Sequence, residues 1–284
     1  MLAPVALAAD ALRVARMALA EDGDRDITSE VCIAAAQDGE AVIEAREECV
    51  LAGRIYADSV VELCGLPRVR WNAADGERVP TGSVLGTVAG PLRALLRAER
   101  PLLNLLQRAA GIATMTAQYR DAVAGSGCQV LHTRKTTPGL RIFEVHAVLL
   151  GGGALHRLDL ASTVMVKDNH WQALHQGGRT LATALAEARE HGVESLQVEV
   201  ESLHQVEEAC RAGATRLLID NQSPGTVRHW GAVARDLAAG IEIEATGGIT
   251  LSTVAAYAGA GADFVSTGAL THSVRSIDLG VEVR

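Results

Sequence analysis

An apolar pair of residues runs directly into a cluster of cations in the stretch Val130-Leu131-His132-Thr133-Arg134-Lys135-Thr136-Thr137-Pro138-Gly139-Leu140-Arg141. The turn-forming Gly125-Ser126-Gly127 precedes this stretch, and Pro138-Gly139 disfavours continuation as a helix. The pattern predicts a strand that ends near Leu131 and opens into a loop rich in positive charge.

The same alternation continues through the second half of the chain. Apolar runs end near Leu131, Val166, Val200, Ile219, Ala245 and Val265. Helical patterns at 179–191, 202–212 and 250–258 separate several of these runs. Strands that alternate with helices predict parallel βαβ units. No GxGxxG motif follows the first strand, which argues against a dinucleotide-binding fold and favours a (β/α) barrel.

The first third of the chain has a different pattern. Residues 1–20 predict a helix, and 40–96 predict short strands around a helix at 54–64, which together indicate a small mixed α+β unit. Pro101 suits the first turn of a further helix. We place the domain boundary near Gly111.

Composition and charge restrict the class of ligand. The chain has 284 residues, of which 48% are hydrophobic and 21% charged, as expected of a globular protein with a substantial core. Its net charge is −8, yet residues 132–170 hold five Lys or Arg against three Asp or Glu. Cations concentrated on an acidic background predict a site for an anionic small molecule and argue against a nucleic-acid surface.

Cysteine usage and hydropathy bear on location. The five cysteines form no CxxC pair, which favours free thiols in a reducing cytoplasm. The apolar N-terminus has no basic region ahead of it and is interrupted by Asp10 and Arg13, so it predicts an amphipathic helix and no signal peptide. No uncharged apolar run is long enough to predict a membrane span.

Polar groups stand where the predicted strands end, at His132 to Lys135, Lys167, Glu199, Asp220, Thr246 and Thr267. In barrels the chemistry occurs at the rim formed by the carboxyl ends of the strands. Together these positions predict an active site, although one charged residue at one strand end usually belongs to solvated surface.

Two carboxylates at adjacent strand ends, Glu199 and Asp220, suit Mg²⁺, which takes one or two carboxylates plus substrate phosphate oxygens. The alternative is pairing with Lys135 and Lys167, which does not exclude metal binding. A barrel lysine is also able to act as a Schiff-base nucleophile. His156 is either a hydrogen-bond donor to a carboxylate or an ordinary loop histidine.

Two glycine-containing segments end the last two strands, Thr246-Gly247-Gly248-Ile249 and Ser266-Thr267-Gly268-Ala269. Glycines let backbone N–H groups approach an anion, and the phosphate site of many barrels is built after strands 7 and 8. The alternative is two tight turns whose glycines only satisfy backbone angles.

These residues resemble the quinolinate phosphoribosyltransferase family. The resemblance spans nearly the whole chain and includes Ala98-Glu99-Arg100, Thr133-Arg134-Lys135-Thr136, Gly151-Gly152-Gly153 with His156-Arg157-Leu158, Val166-Lys167-Asp168-Asn169-His170, Val198-Glu199-Val200-Glu201 and Leu218-Ile219-Asp220-Asn221. It implies an α/β fold in which an N-terminal α/β sandwich domain, residues 1–110, precedes an open, incomplete (β/α) barrel, residues 111–272. The tail 273–284 is expected to pack on the first domain. The resemblance also implies a homodimer with shared active sites, able to form a higher assembly.

The implied reaction joins quinolinate to phosphoribosyl pyrophosphate and yields nicotinate mononucleotide, CO₂ and pyrophosphate, for NAD biosynthesis. By resemblance, Arg134, His156 and Arg157 hold the quinolinate carboxylates, and Arg100 reaches in from the partner subunit. Lys135 and Lys167 face the substrate carboxylate and pyrophosphate as catalytic residues. Glu199 and Asp220 serve Mg²⁺ and the ribose. The remaining expected substrate-binding residues are Thr133, Thr246, Gly247, Gly248, Thr267, Gly268, Ala269 and His272, most of them for the 5′-phosphate.

The chain departs from the family at two positions. His132 stands where the family usually has Asp, and Thr246 stands where Ser is common, which keeps the hydroxyl. Three alternatives remain: the molybdenum-transport-associated paralogue, a Schiff-base aldolase barrel, and an inert barrel that binds phosphorylated ligands. The retained Lys167-Asp168-Asn169-His170 argues against the first, and the retained carboxylates and lysines argue against the last.

Overall fold

The structure is a computed structural model that describes residues 2–284. Its elements in chain order are α1 (Pro4–Glu21), α2 (Ile27–Cys32), β1 (Asp38–Ala45), β2 (Cys49–Val50), α3 (Arg54–Leu63), β3 (Arg70–Trp71), β4 (Arg78–Val79), β5 (Val84–Pro91), α4 (Leu92–Ala122), β6 (Gln129–Leu131), α5 (Arg141–Leu150), β7 (Val164–Val166), α6 (Asp168–Gln176), α7 (Leu181–Glu190), β8 (Leu196–Val200), α8 (Leu203–Ala212), β9 (Arg216–Asp220), α9 (Pro224–Leu237), β10 (Glu242–Thr246), α10 (Val254–Gly259), β11 (Phe264–Ser266), α11 (Ala269–His272) and β12 (Leu279–Val283).

The chain forms two compact units. The first unit contains the residues up to Ala117, Thr136–Gly153 and Leu270–Arg284, and the second contains Gln118–Lys135 and Ala154–Ala269. The boundary predicted near Gly111 lies inside α4. None of the helices between residues 2 and 284 is long and apolar enough to cross a bilayer.

The first unit is built on an antiparallel sheet of order β12-β1-β5-β3, with a separate β2-β4 pair. The C-terminal strand β12 thus pairs with β1, with Ala41 opposite Val283. Tyr56 on α3 lies fully buried beside Phe143, with ring centroids 4.8 Å apart and edge to face. Its hydroxyl donates to Oδ2 of Asp10 on α1 at 2.9 Å, so the buried polar atom is satisfied.

The helix predicted to begin at Pro101 begins instead at Leu92, and Pro101 lies inside α4. A proline in a helix interior costs about 3 kcal/mol, because it removes one backbone hydrogen bond and crowds the preceding turn. The apolar face continues on both sides of it, with Leu95, Leu102 and Leu106 each no more than 3% exposed. Each such leucine contributes about 1.5–3 kcal/mol, so packing outweighs the proline.

The second unit is a six-stranded parallel sheet of order β6-β11-β10-β9-β8-β7. Strands β6 and β7 follow each other in the chain but lie at opposite edges of this sheet. On the side of β6 that faces no strand, a single bridge joins Leu131 to Ala154. This is a barrel whose seam stays open, and the predicted fold class is confirmed. The helix predicted over 202–212 is α8, and Ser202 is its N-cap, accepting the backbone N–H of Gln205. Ser223 caps α9 in the same way.

Candidate active site

A cavity of about 550 Å³ lies in the second unit at the carboxyl ends of the parallel strands. It is lined by His132, Thr133, Arg134, Lys135, His156, Arg157, Met165, Lys167, Glu199, Leu218, Asp220, Asn221, Glu244, Thr246, Gly247, Gly248 and Ser266. The sheet order explains this, because neighbouring strands place their C-terminal residues side by side.

Eleven residues expected in the site therefore line one cavity: Thr133, Arg134, Lys135, His156, Arg157, Lys167, Glu199, Asp220, Thr246, Gly247 and Gly248. Thr267, Gly268 and Ala269 follow β11 but do not line it. The hydroxyl of Thr267 donates to the carbonyl of Ile249 at 3.1 Å, within the second unit. Arg100 is an exposed residue of α4, and His272 ends α11; both belong to the first unit.

Two guanidinium groups form the cationic side of the cavity. Nε of Arg134 is buried and has no hydrogen-bond partner among residues 2–284. Burial lowers the pKa of Arg157, and the positive charge of Arg134 lowers it further. A buried N–H donor beside a second cation is costly unless an acceptor with negative charge binds there. This part of the cavity is suited to a molecule with more than one carboxylate.

A cation and a carboxylate meet on the neighbouring strands β7 and β8. Nζ of Lys167 hydrogen-bonds Oε2 of Glu199. Burial raises the pKa of the Glu199 carboxyl, and the charge of Asp220 raises it further, whereas Lys167 opposes both. The indole N–H of Trp171 on α6 donates to the backbone carbonyl of Glu199 at 2.9 Å, which fixes this strand end.

The opposite part of the cavity is formed where β9 and β10 end. Asn221 has a positive φ of 52°, its amide donates to Oδ2 of Asp220 at 2.6 Å, and its N–H donates to the carbonyl of Thr246 at 3.0 Å. Gly247 has φ 82°, and a Cβ there would lie 2.7 Å from the nitrogen of Asn221. Only glycine fits this close approach.

Two carboxylates of the cavity are candidate ligands for a metal ion. Within residues 2–284 no group of three or more His, Cys, Asp or Glu side chains is placed to hold a metal ion. Glu199 and Asp220 both line the cavity and offer oxygen atoms. This donor set fits Mg²⁺, which uses one or two carboxylates and takes its other ligands from water and substrate phosphate.

Met165, Leu218, Asn221 and Glu244 line the cavity but are not among the residues expected in the site. Ser266 belongs to one of the two glycine-containing segments, and the role of His132 was left open. Glu244 is 1% exposed between Ile243 and Ala245. The sequence signal for Glu244 was a charged residue between two apolar residues of one strand. Because successive side chains of a strand point to opposite faces of the sheet, Glu244 lies on the face opposite to Ile243 and Ala245.

Fold and site together define a class: a barrel enzyme that binds an anionic, multiply carboxylated or phosphorylated small molecule at the carboxyl ends of its strands. The family described as quinolinate phosphoribosyl transferase, N-terminal domain, matches residues 26–110, and its C-terminal domain matches 112–282. The chain belongs to the quinolinate phosphoribosyltransferase family, and the predicted family and enzyme class are confirmed.

Named relatives are similar along most of their length. The chain is 39% identical over 269 residues to a probable nicotinate-nucleotide pyrophosphorylase (carboxylating) of Bacillus subtilis, covering 93% of this chain and 90% of the relative. It is 38% identical over 263 residues to the nicotinate-nucleotide pyrophosphorylase (carboxylating) of Mycobacterium leprae, covering 91% of each. The solved structure of the nicotinate-nucleotide pyrophosphorylase from Francisella tularensis matches with a TM-score of 0.90 at 31% identity, over 98% of this chain and 97% of that one.

Proposed function

We propose that this chain transfers a phosphoribosyl group from phosphoribosyl pyrophosphate to quinolinate and releases nicotinate mononucleotide, CO₂ and pyrophosphate, in NAD biosynthesis. The observation that carries the proposal is the buried Nε of Arg134, which has no hydrogen-bond partner within residues 2–284 and lies beside the half-buried Arg157. Quinolinate has two carboxylates on adjacent ring atoms, and two guanidinium groups are able to bind such a planar dianion through paired hydrogen bonds.

Binding would fix the ring of quinolinate so that its nitrogen faces C1 of the ribose. A bond then forms between that nitrogen and C1, while the bond from C1 to pyrophosphate breaks. Lys135 and Lys167 line the same cavity and would neutralise charge that develops on the departing pyrophosphate. Lys167 is already oriented by Glu199, which reduces the reorganisation needed during the reaction.

Loss of CO₂ follows from the chemistry of the ring. Once the nitrogen carries ribose it is positively charged, so the ring accepts the electron pair left when the adjacent carboxylate departs. A proton then takes the place of that carboxylate. The cavity would assist by holding the second carboxylate and the ribose while the first is released.

Mg²⁺ is the expected cofactor, and Glu199 with Asp220 would hold it together with substrate oxygens. When bound, the ion supplies positive charge at the pyrophosphate. Thr246, Gly247 and Gly248 would hold the 5′-phosphate through backbone N–H groups and a hydroxyl.

A homodimer with shared sites is part of the same proposal, because the resemblance brings Arg100 into the partner's cavity. Arg100 is exposed on α4, as a residue that reaches another subunit must be.

Two further predictions stay untested. The phosphate contacts expected in the loop after β11 and in α11 are Thr267, Gly268, Ala269 and His272. A cytoplasmic location is predicted from cysteine usage.

The test is direct turnover. Purified protein is incubated with phosphoribosyl pyrophosphate, Mg²⁺ and quinolinate labelled with ¹⁴C in the carboxylate next to the ring nitrogen. We expect nicotinate mononucleotide and labelled CO₂ in equal amounts. Reactions without phosphoribosyl pyrophosphate, and with Lys135→Ala protein, serve as controls. Absence of both products from folded wild-type protein would refute the proposed activity and favour the paralogue or an inert barrel.

A further inference from the structure

The segment that carries Arg157 is not stabilised by the backbone hydrogen bonds of a helix or a sheet, so side chains must fix its position. Residues 155–163 belong to no helix or strand. The position of a guanidinium on such a segment depends on what fixes its backbone, and a displacement of about 1 Å at a binding group costs up to ~100-fold in rate.

The first fixed point is His132, which is fully buried after β6. Its Nε2 accepts a hydrogen bond from the backbone N–H of His156 at 3.0 Å, and its Nδ1 lies 3.1 Å from the carbonyl oxygen of Thr133. Because a carbonyl oxygen only accepts, the proton of this ring is on Nδ1. His132 is therefore a neutral ring that ties the end of β6 to the segment at 156.

The second fixed point is the ring of His156, whose side chain is 7% exposed. Its Nδ1 accepts a hydrogen bond from the backbone N–H of Arg157 at 2.8 Å. The proton of this ring is consequently on Nε2, which donates to Oε2 of Glu244 at 3.3 Å. Both ring nitrogens are thus used within the protein, one of them on the backbone of Arg157 itself.

The third fixed point is Glu244, which is 1% exposed on β10. Nη1 of Arg216 lies 3.2 Å from its Oε2, and the guanidinium of Arg216 lies 3.9 Å from the ring centroid of Phe264. Burial alone would raise the pKa of Glu244, but hydrogen bonds from His156 and Ser266 and the charge of Arg216 hold it below its ordinary value. Glu244 therefore remains an acceptor for His156.

We propose that His132 and Glu244 are positioning residues that fix His156, and through it the backbone of Arg157, and so set the affinity for the aromatic dicarboxylate. In this arrangement His156 supports Arg157, a role that differs from the direct carboxylate contact that the family resemblance implies for it. The inference rests on the proposed function, because quinolinate is the dicarboxylate that Arg157 would hold.

The kinetic test compares two substitutions of His132. Gln places an acceptor oxygen near the position of Nε2, whereas Leu removes every acceptor from a buried site. His132→Leu should raise the KM for quinolinate by about 10-fold or more, with the KM for phosphoribosyl pyrophosphate changed less than about 3-fold. His132→Gln should restore most of the quinolinate affinity. Equal increases in both KM values, or a Gln variant as impaired as the Leu variant, would overturn the inference.

A matched pair at His156 separates support from direct contact. Asn places an oxygen near the position of Nδ1, and this oxygen is able to accept the hydrogen bond from the backbone N–H of Arg157. Ala has no acceptor at that position. We expect His156→Asn to retain more affinity for quinolinate than His156→Ala. Equal loss in the two variants would show that the Nδ1 contact does not matter.

Two measurements do not depend on turnover. Nitrogen-15 NMR of histidine-labelled wild type at pH 7 should show His132 protonated on Nδ1 and His156 protonated on Nε2, with signals assigned from the substituted proteins. Calorimetric titration with phthalate, a benzene ring with two adjacent carboxylates, should show weaker binding by His132→Leu than by wild type. Phthalate binding by wild type without any turnover would contradict only the proposed activity.

Turnover by wild type together with the opposite histidine tautomers would contradict only this inference. Unchanged phthalate affinity in His132→Leu would do the same.

Discussion

Nζ of Lys167 at the end of β7 is hydrogen-bonded to Oε2 of Glu199 on β8, and both groups line the cavity. Burial and the charge of Asp220 raise the pKa of Glu199, so Lys167 is the group that favours its ionised form. The cation proposed to face the departing pyrophosphate and the carboxylate proposed to hold Mg²⁺ are therefore one coupled pair.

This coupling predicts that Lys167→Met raises the pKa of Glu199 further. Removal of the lysine leaves burial and Asp220 unopposed, and both favour the protonated carboxyl. Carbon-13 NMR of labelled glutamate carboxyls, titrated with pH, measures the shift. Lys167→Arg keeps the charge and serves as the matched control. An unchanged Glu199 titration in the Met variant would show that the ion pair is not maintained in solution.

Substrate choice follows from Arg134 and Arg157. We expect nicotinate, which has one carboxylate, to be used at least about 100-fold less efficiently than quinolinate, because a buried cation then stays unpaired. The measurement is kcat/KM for each acid at saturating phosphoribosyl pyrophosphate. Comparable values for the two acids would contradict the assignment of a guanidinium to each carboxylate.

Metal dependence should follow from Glu199 and Asp220. We expect EDTA to abolish turnover and added Mg²⁺ to restore it, since two carboxylates at neighbouring strand ends suit this ion. Asp220→Ala and Glu199→Ala should each reduce kcat by about 100-fold or more. Thermal unfolding of each variant controls for folding, and full turnover in metal-free buffer would rule out the role.

A stability prediction concerns Asp75 in the first unit, whose pKa burial raises from 3.8 to about 6. The folded state binds this proton more tightly than the unfolded state, so Asp75 adds no penalty below about pH 4 and an increasing penalty to the free energy of unfolding as pH rises to ~6. Asp75→Asn should remove this penalty and stabilise the protein by up to about 3 kcal/mol at pH 7.5, with no gain at pH 4. Urea unfolding at both pH values measures it, with exposed Asp22→Asn as control. A gain of equal size at both pH values would point to a cause other than ionisation.

The barrel was predictable because its signals are local in sequence. The apolar runs expected to end at Leu131 and Val166 are strands that end there, and charged residues follow each of them. The start of α4 was mispredicted for a local reason as well. The preference of proline for the first turn of a helix concerns only the backbone of that turn. The start of α4 is instead decided by the buried apolar face, which continues before and after Pro101.

The environment of His156 was not predictable in the same way. Its partner Glu244 lies 88 residues further along the chain, and the pairing depends on which strands are adjacent in the sheet. The periodicity of one strand indicates on which face of the sheet a side chain lies, but it does not indicate which residue of another element contacts that side chain. The residue pattern leaves His156 as either a donor to a carboxylate or an ordinary loop histidine, and the family resemblance implies that it holds a quinolinate carboxylate. Neither points to Glu244.

The last prediction concerns assembly and rests on Arg100. This residue is exposed on α4 in the first unit, and the cavity of the second unit is lined without it. If it completes the site of a partner subunit, activity requires dimers.

Arg100→Ala and Lys135→Ala proteins, each inactive alone, should then regain activity when their subunits exchange. In the mixed dimer, the barrel with native Lys135 receives native Arg100 from the other chain, and random exchange gives about a quarter of the wild-type activity. The control replaces the Lys135→Ala protein with a chain that carries both substitutions, which supplies no Arg100 and should leave the mixture inactive. Mass spectrometry of differently labelled chains verifies exchange. If exchange is complete and the first mixture stays inactive, Arg100 does not act across the interface.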